Sequence, residues 1–298
     1  MTKQEKLKPA DLAFLFSALT LPLLQFILFY VVVNGNSIVM AFQKTTDGVT
    51  YSFNGLNTIK QALYLLFTDT EYKIIIKNTF VLYFASQIVV PAIAVLFALG
   101  IWKKVPGSKF FSIILFLPSV ISSVVFVMIA RVATNSLLPA VFNNPKLVEL
   151  FNVYTTGFTA TTVYYCFLSF GAQLILQLGA MGGIDQSIVE YGKIDGVNAW
   201  QEFRVIVFPH IWPTLISIFV IGIASIFTNQ GLLISFYGAG LSEATIKTFG
   251  SQMYISVINN KYSDFPILTA MGLFMTIVVV VVSSVVKRVM ERLGPSED

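Results

Sequence analysis

The 298-residue sequence carries little charge, one cysteine and one histidine. Each scarcity removes a class of function. Cys166 alone cannot close an internal disulfide, and within its apolar segment it reads as packing filler. One cysteine and one histidine cannot assemble a His/Cys metal site. Nothing specific builds a Ser-His-Asp triad on His210, which lies beside Pro209 and reads as an interfacial residue at the head of a hydrophobic segment. The phosphate-cradling loop G-x-x-x-x-G-K-[ST] is also missing. Its nearest match, Gly192-Lys193, is followed by Ile194, and Ser187 stands where the first glycine belongs. The chain is therefore expected not to hydrolyse ATP itself, and a membrane-embedded enzyme lacks a catalytic constellation.

Only 11% of the residues are charged while 56% are hydrophobic, and the mean hydropathy is +0.78. Soluble domains carry about 25% charged residues. A chain this apolar cannot cover a water-facing surface, so the bilayer is its natural solvent. The formal net charge of +4 is scattered at segment edges and forms no stripe, which speaks against nucleic acid as a partner. Six stretches can cross a hydrocarbon core: residues 13–33, 79–101, 111–133, 159–180, 211–228 and 266–286. They are too long for barrel strands, so the expected fold is an all-α membrane protein with six transmembrane helices in one domain, 1–298. Pro91 and Pro118 are expected to kink their helices.

Orientation follows from lysine and arginine. Lys3, Lys6 and Lys8 precede the first stretch. Lys103, Lys104 and Lys109 lie between the second and third, and Lys287, Arg288 and Arg292 follow the last. These short basic segments are expected in the cytoplasm, with both termini. The first stretch is too long for a signal-peptide core and reads as an uncleaved span. No Asp, Glu or Lys falls inside any of the six stretches, and Arg131 sits near the outer end of the third. A proton-coupled transporter needs an intramembrane ionisable relay, so that energy source is disfavoured. Sodium coupling through backbone carbonyls stays open.

The segment 185–209, on the expected cytoplasmic side, has the signals of two short helices. Asp185 can cap the first, and Ile188, Tyr191 and Gly192 fall on one face at helical spacing. Asp195-Gly196 is a stop signal, with Gly196 free to take positive φ. Asn198 and Gln201 make a capping-box pattern for the second helix, and Trp200, Phe203 and Val207 form its apolar stripe. Pro209 is expected to mark a break before the fifth span. On composition alone, such helices could simply rest on the bilayer interface.

This segment resembles the EAA loop of ABC importer permeases, whose pattern is E-A-A, three residues, G, nine residues, I, one residue, L-P. Glu190 fits the glutamate, and Gly196 follows Gly192 with three residues between. Ile206 follows Gly196 with nine between, and Phe208-Pro209 stands for Leu-Pro. Two departures stand out: Tyr191 and Gly192 replace both alanines, and Asp185 sits where proline is frequent. The run from Asp195-Gly196 to Trp200-Gln201 and Phe203 resembles the carbohydrate-uptake branch, the group of maltose and glycerol-phosphate permeases. Gln173-Leu174-Ile175-Leu176-Gln177-Leu178, Phe53-Asn54-Gly55-Leu56-Asn57 and Asn78-Thr79 fit that branch too.

The resemblance implies a type I importer fold and a permease subunit of an ATP-driven uptake system for a sugar or oligosaccharide. It implies a coupling role for Glu190, Tyr191, Gly192, Asp195, Gly196, Trp200, Phe203 and Pro209. The implied partners are a second homologous permease, two copies of a cytoplasmic ATPase that carry the ATP and magnesium, and an extracellular solute-binding protein. No cofactor is expected on this chain. For the substrate path, Tyr164, Tyr165, Gln173, Asn229 and Gln230 offer aromatic faces and amides suited to a neutral sugar. Helix packing is the competing role for each of them. Arg131 leaves room for a uronate-bearing sugar. The rival readings are an ABC permease for a noncarbohydrate solute and a secondary transporter.

Overall fold

The structure, a computed structural model, describes residues 9–238, 240–259 and 262–295. Lys3, Lys6 and Lys8 and both chain ends, Met1 and Asp298, lie outside them. Among the described residues, six helices are long and apolar enough to span a bilayer. In chain order the elements are α1 (residues 9–40), the strands β1 (Gln43–Lys44) and β2 (Ser52–Phe53), α2 (Asn57–Thr68), α3 (Thr70–Trp102), α4 (Ser108–Val120), α5 (Ser123–Phe142), α6 (Gly157–Gly182), α7 (Gln186–Ile194), α8 (Ala199–Ser225), α9 (Leu233–Tyr237), α10 (Phe249–Ile258) and α11 (Phe265–Leu293). The chain divides into two compact units. One holds the segment up to Leu65 and the start of α11 to Phe274, and the other holds the rest.

In the first unit, β1 and β2 form a small antiparallel hairpin with Gln43 opposite Phe53. Asp47 organises its turn, accepting from the amides of Val49 and Thr50 at 3.0 and 2.9 Å and from the Thr50 hydroxyl at 2.6 Å. Those bonds hold its carboxyl well below the usual carboxylate range. The Phe53–Asn57 segment seats α2 against this hairpin. The Asn54 side-chain amide donates to the Thr58 hydroxyl at 3.0 Å, which donates to the Gln43 carbonyl at 2.8 Å.

The second unit is a helical bundle whose core lies between α3, α6 and α8. Ala94, Ala98, Leu174, Met181, Val207 and Ile211 are fully buried there. Small residues let backbones approach where no hydrophobic effect drives helices together. Gly171 of α6 is the clearest case: a Cβ there would meet the Leu115 carbonyl of α4 at 2.8 Å and the Ser119 hydroxyl at 2.9 Å.

Three spans share a backbone device. π-helical turns at Ala85–Val89, Ala133–Leu137 and Phe203–Val207 each precede a proline by two residues: Pro91, Pro139 and Pro209. A proline cannot donate, and its ring crowds the carbonyl four residues back. In each π turn the ladder has already shifted to a five-residue bond, as in Phe208 N to Phe203 O, so the helix passes through the proline unbroken. The expected break at Pro209 is thus absent, and α8 runs continuously from the loop into the fifth span.

The expected third span, 111–133, is not one helix. It divides at Ile121 and Ser122, both extended with ψ near 138° and 137°. Pro118 removes one bond from the last turn of α4, Val120 and Ile121 are weak helix formers, and Ser122 favours a helix start. The second span begins earlier than residue 79. Asp69 caps α3, accepting from Glu71 N at 2.7 Å, and the 33-residue helix is about 50 Å long, more than the hydrocarbon core requires. Glu71, Lys73 and Lys77 hide that extension from a hydropathy reading.

Candidate functional site

The loop between α6 and α8 is built from local signals. The Asp185 carboxylate accepts from Ser187 N at 2.9 Å and caps α7. Hydrogen bonds from the Ser187 backbone and side chain lower its pKa. α7 ends where Val197 N returns to the Gly192 carbonyl at 2.9 Å and Gly196 N to the Lys193 carbonyl at 3.2 Å. Gly196 turns the chain with φ +75°, and the space where its Cβ would stand is open to 4 Å. The constraint on Gly196 is therefore its left-handed backbone and not a steric clash. Asn198 and Gln201 form the expected capping box: Asn198 Oδ1 accepts from Gln201 N at 2.9 Å, and Asn198 N donates back to Gln201 Oε1 at 2.9 Å.

The faces differ from the expected ones. Gly192 does not share the outward face of Ile188 and Tyr191. It turns inward with buried Val189, and a Cβ there would stand 3.3 Å from the Ile206 side chain. α7 thus rests on α8 at its glycine. The stripe Trp200, Phe203 and Val207 also divides, because α8 widens into its π turn after Glu202: Val207 is buried while Trp200 is 67% exposed. Ile188, Tyr191 (68% exposed), Ile194 (80% exposed) and Trp200 point away from the bundle, and Glu190 and Asp195 are exposed among them. Solvated apolar side chains gathered with carboxylates mark an interaction surface.

An aromatic ladder runs from this surface along α8. Trp200 stacks on Phe203 with centroids 5.7 Å apart, Phe203 meets Phe208 at 5.9 Å, and Phe208 meets Trp212 at 5.1 Å. The Trp212 indole donates to the Met290 carbonyl of α11 at 3.0 Å. Pro209 sits inside the ladder, just past the π turn. A contact missed in the sequence completes the loop. Lys103, between α3 and α4, pairs with Glu202 of α8 at 3.0 Å. Nothing local to either residue announces a partner 99 positions away.

The expected substrate-path residues fall into groups. Tyr165 and Asn229 come together, the Asn229 side-chain amide donating to the tyrosine hydroxyl at 3.1 Å. Asn229 also accepts from Gly231 N at 2.8 Å and, through its carbonyl, from the Thr248 hydroxyl at 3.1 Å. Tyr164 serves packing: its ring stacks on Phe126 at 4.4 Å, and its hydroxyl donates to the Phe126 carbonyl at 2.8 Å. Gln230 is half-buried in the turn after α8. Gln173 is half-buried within α6, its Oε1 turned from solvent without a protein donor. One turn further, Gln177 is fully buried with neither amide atom bonded to the protein. Its signal was the i, i+4 spacing of the two glutamines, which puts them on one face.

Similarity to known proteins agrees with this geometry. The probable starch degradation products transport system permease protein AmyD of Thermoanaerobacterium thermosulfurigenes is 23% identical over 184 residues, 58% of this chain and 63% of its own length. The lactose transport system permease protein LacF of Rhizobium radiobacter is 28% identical over 182 residues, 58% of this chain and 59% of its own. The chain thus matches under two thirds of the length of these curated relatives. A crystal structure of a bacterial ABC transporter involved in the import of the acidic polysaccharide alginate superposes with a TM-score of 0.72 at 21% identity, covering 94% of this chain and 96% of that one. That likeness gives the fold, the bundle of an importer permease; the six apolar helices, with the family below, make the protein a multi-pass membrane protein. The family model for the binding-protein-dependent transport system inner membrane component matches residues 87–297, from the second span to the end of the last, and the chain belongs to that family.

Proposed function

We propose that this chain is the permease subunit of an ATP-binding-cassette importer and forms half of the path for a sugar or oligosaccharide. A second homologous permease supplies the other half, a binding protein delivers the solute at the outer loops, and two copies of a separate ATPase work from the cytoplasm, where both termini of this chain lie. ATP and magnesium belong to that ATPase. The observation that carries the reading is the exposed set of Ile188, Tyr191 and Ile194 with Glu190 on α7, together with Trp200 at the start of α8, the helix on which α7 rests and which continues without a break into a span. Such a surface suits a groove in a cytosolic partner, with Glu190 meeting a cation there. Closure of the ATPase dimer then drives the loops of the two permeases together, and unbroken α8 carries that movement into the fifth span.

The relatives named for starch products and lactose, together with the amides in the bundle, support a carbohydrate cargo. Tyr165, Asn229, Gln230 and Gln173 are the candidate contacts, and the unbonded amide of Gln177 joins them. Amide groups pair with sugar hydroxyls, and an aromatic face suits the apolar side of a sugar ring. The test is reconstitution of the complete complex with Glu190→Ala. At normal subunit abundance, binding-protein-stimulated ATP hydrolysis should fall at least about tenfold, equivalent to roughly 1.4 kcal/mol of coupling. Normal stimulation and uptake would mean that the loop merely rests on the bilayer.

A further inference from the structure

The Lys103–Glu202 pair stands outside the loop pattern that identifies this family, and its position is peculiar. Glu202 follows the capping box of α8 by one residue and immediately precedes the π turn. Its side chain is only 11% exposed and that of Lys103 27% exposed. The other described ion pair, Lys287–Glu291, is more than half exposed at 3.8 Å and lies within one helix. An acid withdrawn from water needs a partner, and here the partner comes from a different span. Lys103 directly follows Trp102, the last residue of α3, and opens the link to α4, which is held in an unusual shape. Lys104 occupies the left-handed region at φ +55°, which a residue with a side chain seldom adopts. Lys104 N donates to the Ile101 carbonyl at 2.9 Å and Val105 N to the Gly100 carbonyl at 3.2 Å, closing the turn that points the chain from α3 toward α4. Backbone in a sparsely populated region persists where its surroundings over-determine it.

We propose that Lys103–Glu202 is a strut that carries loop movement sideways into the α3–α4 link. The proposal rests on the coupling role given to the loop above. Without the strut, displacement of α7 and the start of α8 reaches the spans joined to the loop by the chain, α6 and α8. With it, the same displacement pulls on α3 and α4. The aromatic ladder to Met290 adds α11, so one loop addresses nearly the whole bundle of this unit. Both residues act through the helices they join and touch no solute, so they are positioning residues. The strut stays closed throughout a transport cycle, since a link that opened would transmit nothing.

The experiment uses the complete complex in proteoliposomes with its binding protein, and reads solute imported per ATP hydrolysed. Glu202→Gln and Lys103→Met are each expected to lower that ratio at least about threefold at normal subunit abundance. The exchanged pair, Lys103→Glu with Glu202→Lys, is expected to restore at least half of it. A pair that only stabilises the fold would alter abundance and leave the ratio of the surviving complexes unchanged, and that result overturns the proposal. A second arm covers poor assembly of the charge variants. Cysteines at both positions, joined by a reducible thiol cross-linker long enough to span the native pair, should leave transport at half or more of the uncross-linked rate. Transport blocked by the cross-link and restored by reduction would mean that the pair must open, which also overturns the proposal. The unmodified complex is the control for the underlying reading: no binding-protein-stimulated hydrolysis there refutes the importer assignment itself, whereas stimulation there with unchanged ratios in the variants refutes only the strut.

Discussion

At the loop end of the larger unit, apolar side chains face outward and charged groups stand around them, while at the opposite end polar groups turn inward and satisfy one another. Asn78 of α3 donates to the carbonyls of Thr245 and Lys247 at 2.8 and 3.1 Å. The Thr79 hydroxyl accepts from Phe249 N at 2.9 Å at the start of α10, and Thr248 and Ser251 cap that helix. These groups are buried, and their bonds close within the chain. The loop end closes its backbone bonds too, but leaves Ile188, Tyr191, Ile194 and Trp200 uncovered. The polar groups of the first set are closed by bonds within the chain, and the apolar side chains of the second are uncovered in it, as the proposed docking role requires. Substitutions should therefore damage stability at the first end and coupling at the second.

The largest effect expected from this contrast is at Gly196. A β-branched residue is a poor fit at φ +75°, so Gly196→Val should cost roughly 1–3 kcal/mol of loop geometry and abolish most stimulated ATP hydrolysis, with bundle stability unchanged. Gly196→Asn, which tolerates the left-handed region, should keep most of the activity, since no neighbour crowds the Cβ position. Equal loss in both variants would point to an unseen steric partner. At the opposite end, Thr79→Val removes a buried acceptor and strands the Phe249 amide. A loss of about 1–3 kcal/mol is expected, read as a lower thermal unfolding midpoint in detergent with the import-to-hydrolysis ratio intact. A changed ratio at unchanged stability would erase the distinction between the two ends.

The smallest effect concerns acid. The Asp185 carboxyl titrates below its ordinary value in the folded loop, so its cap is fully present above the unfolded-state pKa, about 3.9, and is lost as pH falls through the lower folded value. A spin label at Ile194 should report constant mobility from pH 7 to about 4 and rising mobility below. Asp185→Asn, which keeps a capping oxygen without a charge, should flatten that rise. A rise beginning near neutrality would assign the transition to another group.

What could be read from the sequence follows the range of the interaction that decides each feature. The caps at Asp185 and Asn198 and the turn at Gly196 rest on neighbours within five residues, and their residue types announce them. Five of the six expected spans fall on the long apolar helices, although α3 begins before its apolar run; the expected third, 111–133, straddles the end of α4 and the start of α5. The inward turn of Gly192 depends on Ile206, the pairing of Tyr165 with Asn229 spans 64 positions, and Lys103 meets Glu202 only once three helices have packed. The division at Ile121 came from several weak preferences adding together, each too small to outweigh a hydrophobic run.

The π turns before Pro91, Pro139 and Pro209 have a mechanical consequence. A surplus residue in a helix is a dislocation in a one-dimensional lattice, and a dislocation can glide by exchanging one hydrogen bond at a time. Proline cannot make that exchange, so it acts as a pinning site on the C-terminal side of each defect. Pinned defects concentrate compliance: when load is applied along these spans, bending gathers at three fixed positions and the stretches between them move as stiff rods. In α8 the pinned defect lies where the helix leaves the loop, so compliance gathers there, with a second proline, Pro213, one turn past Pro209.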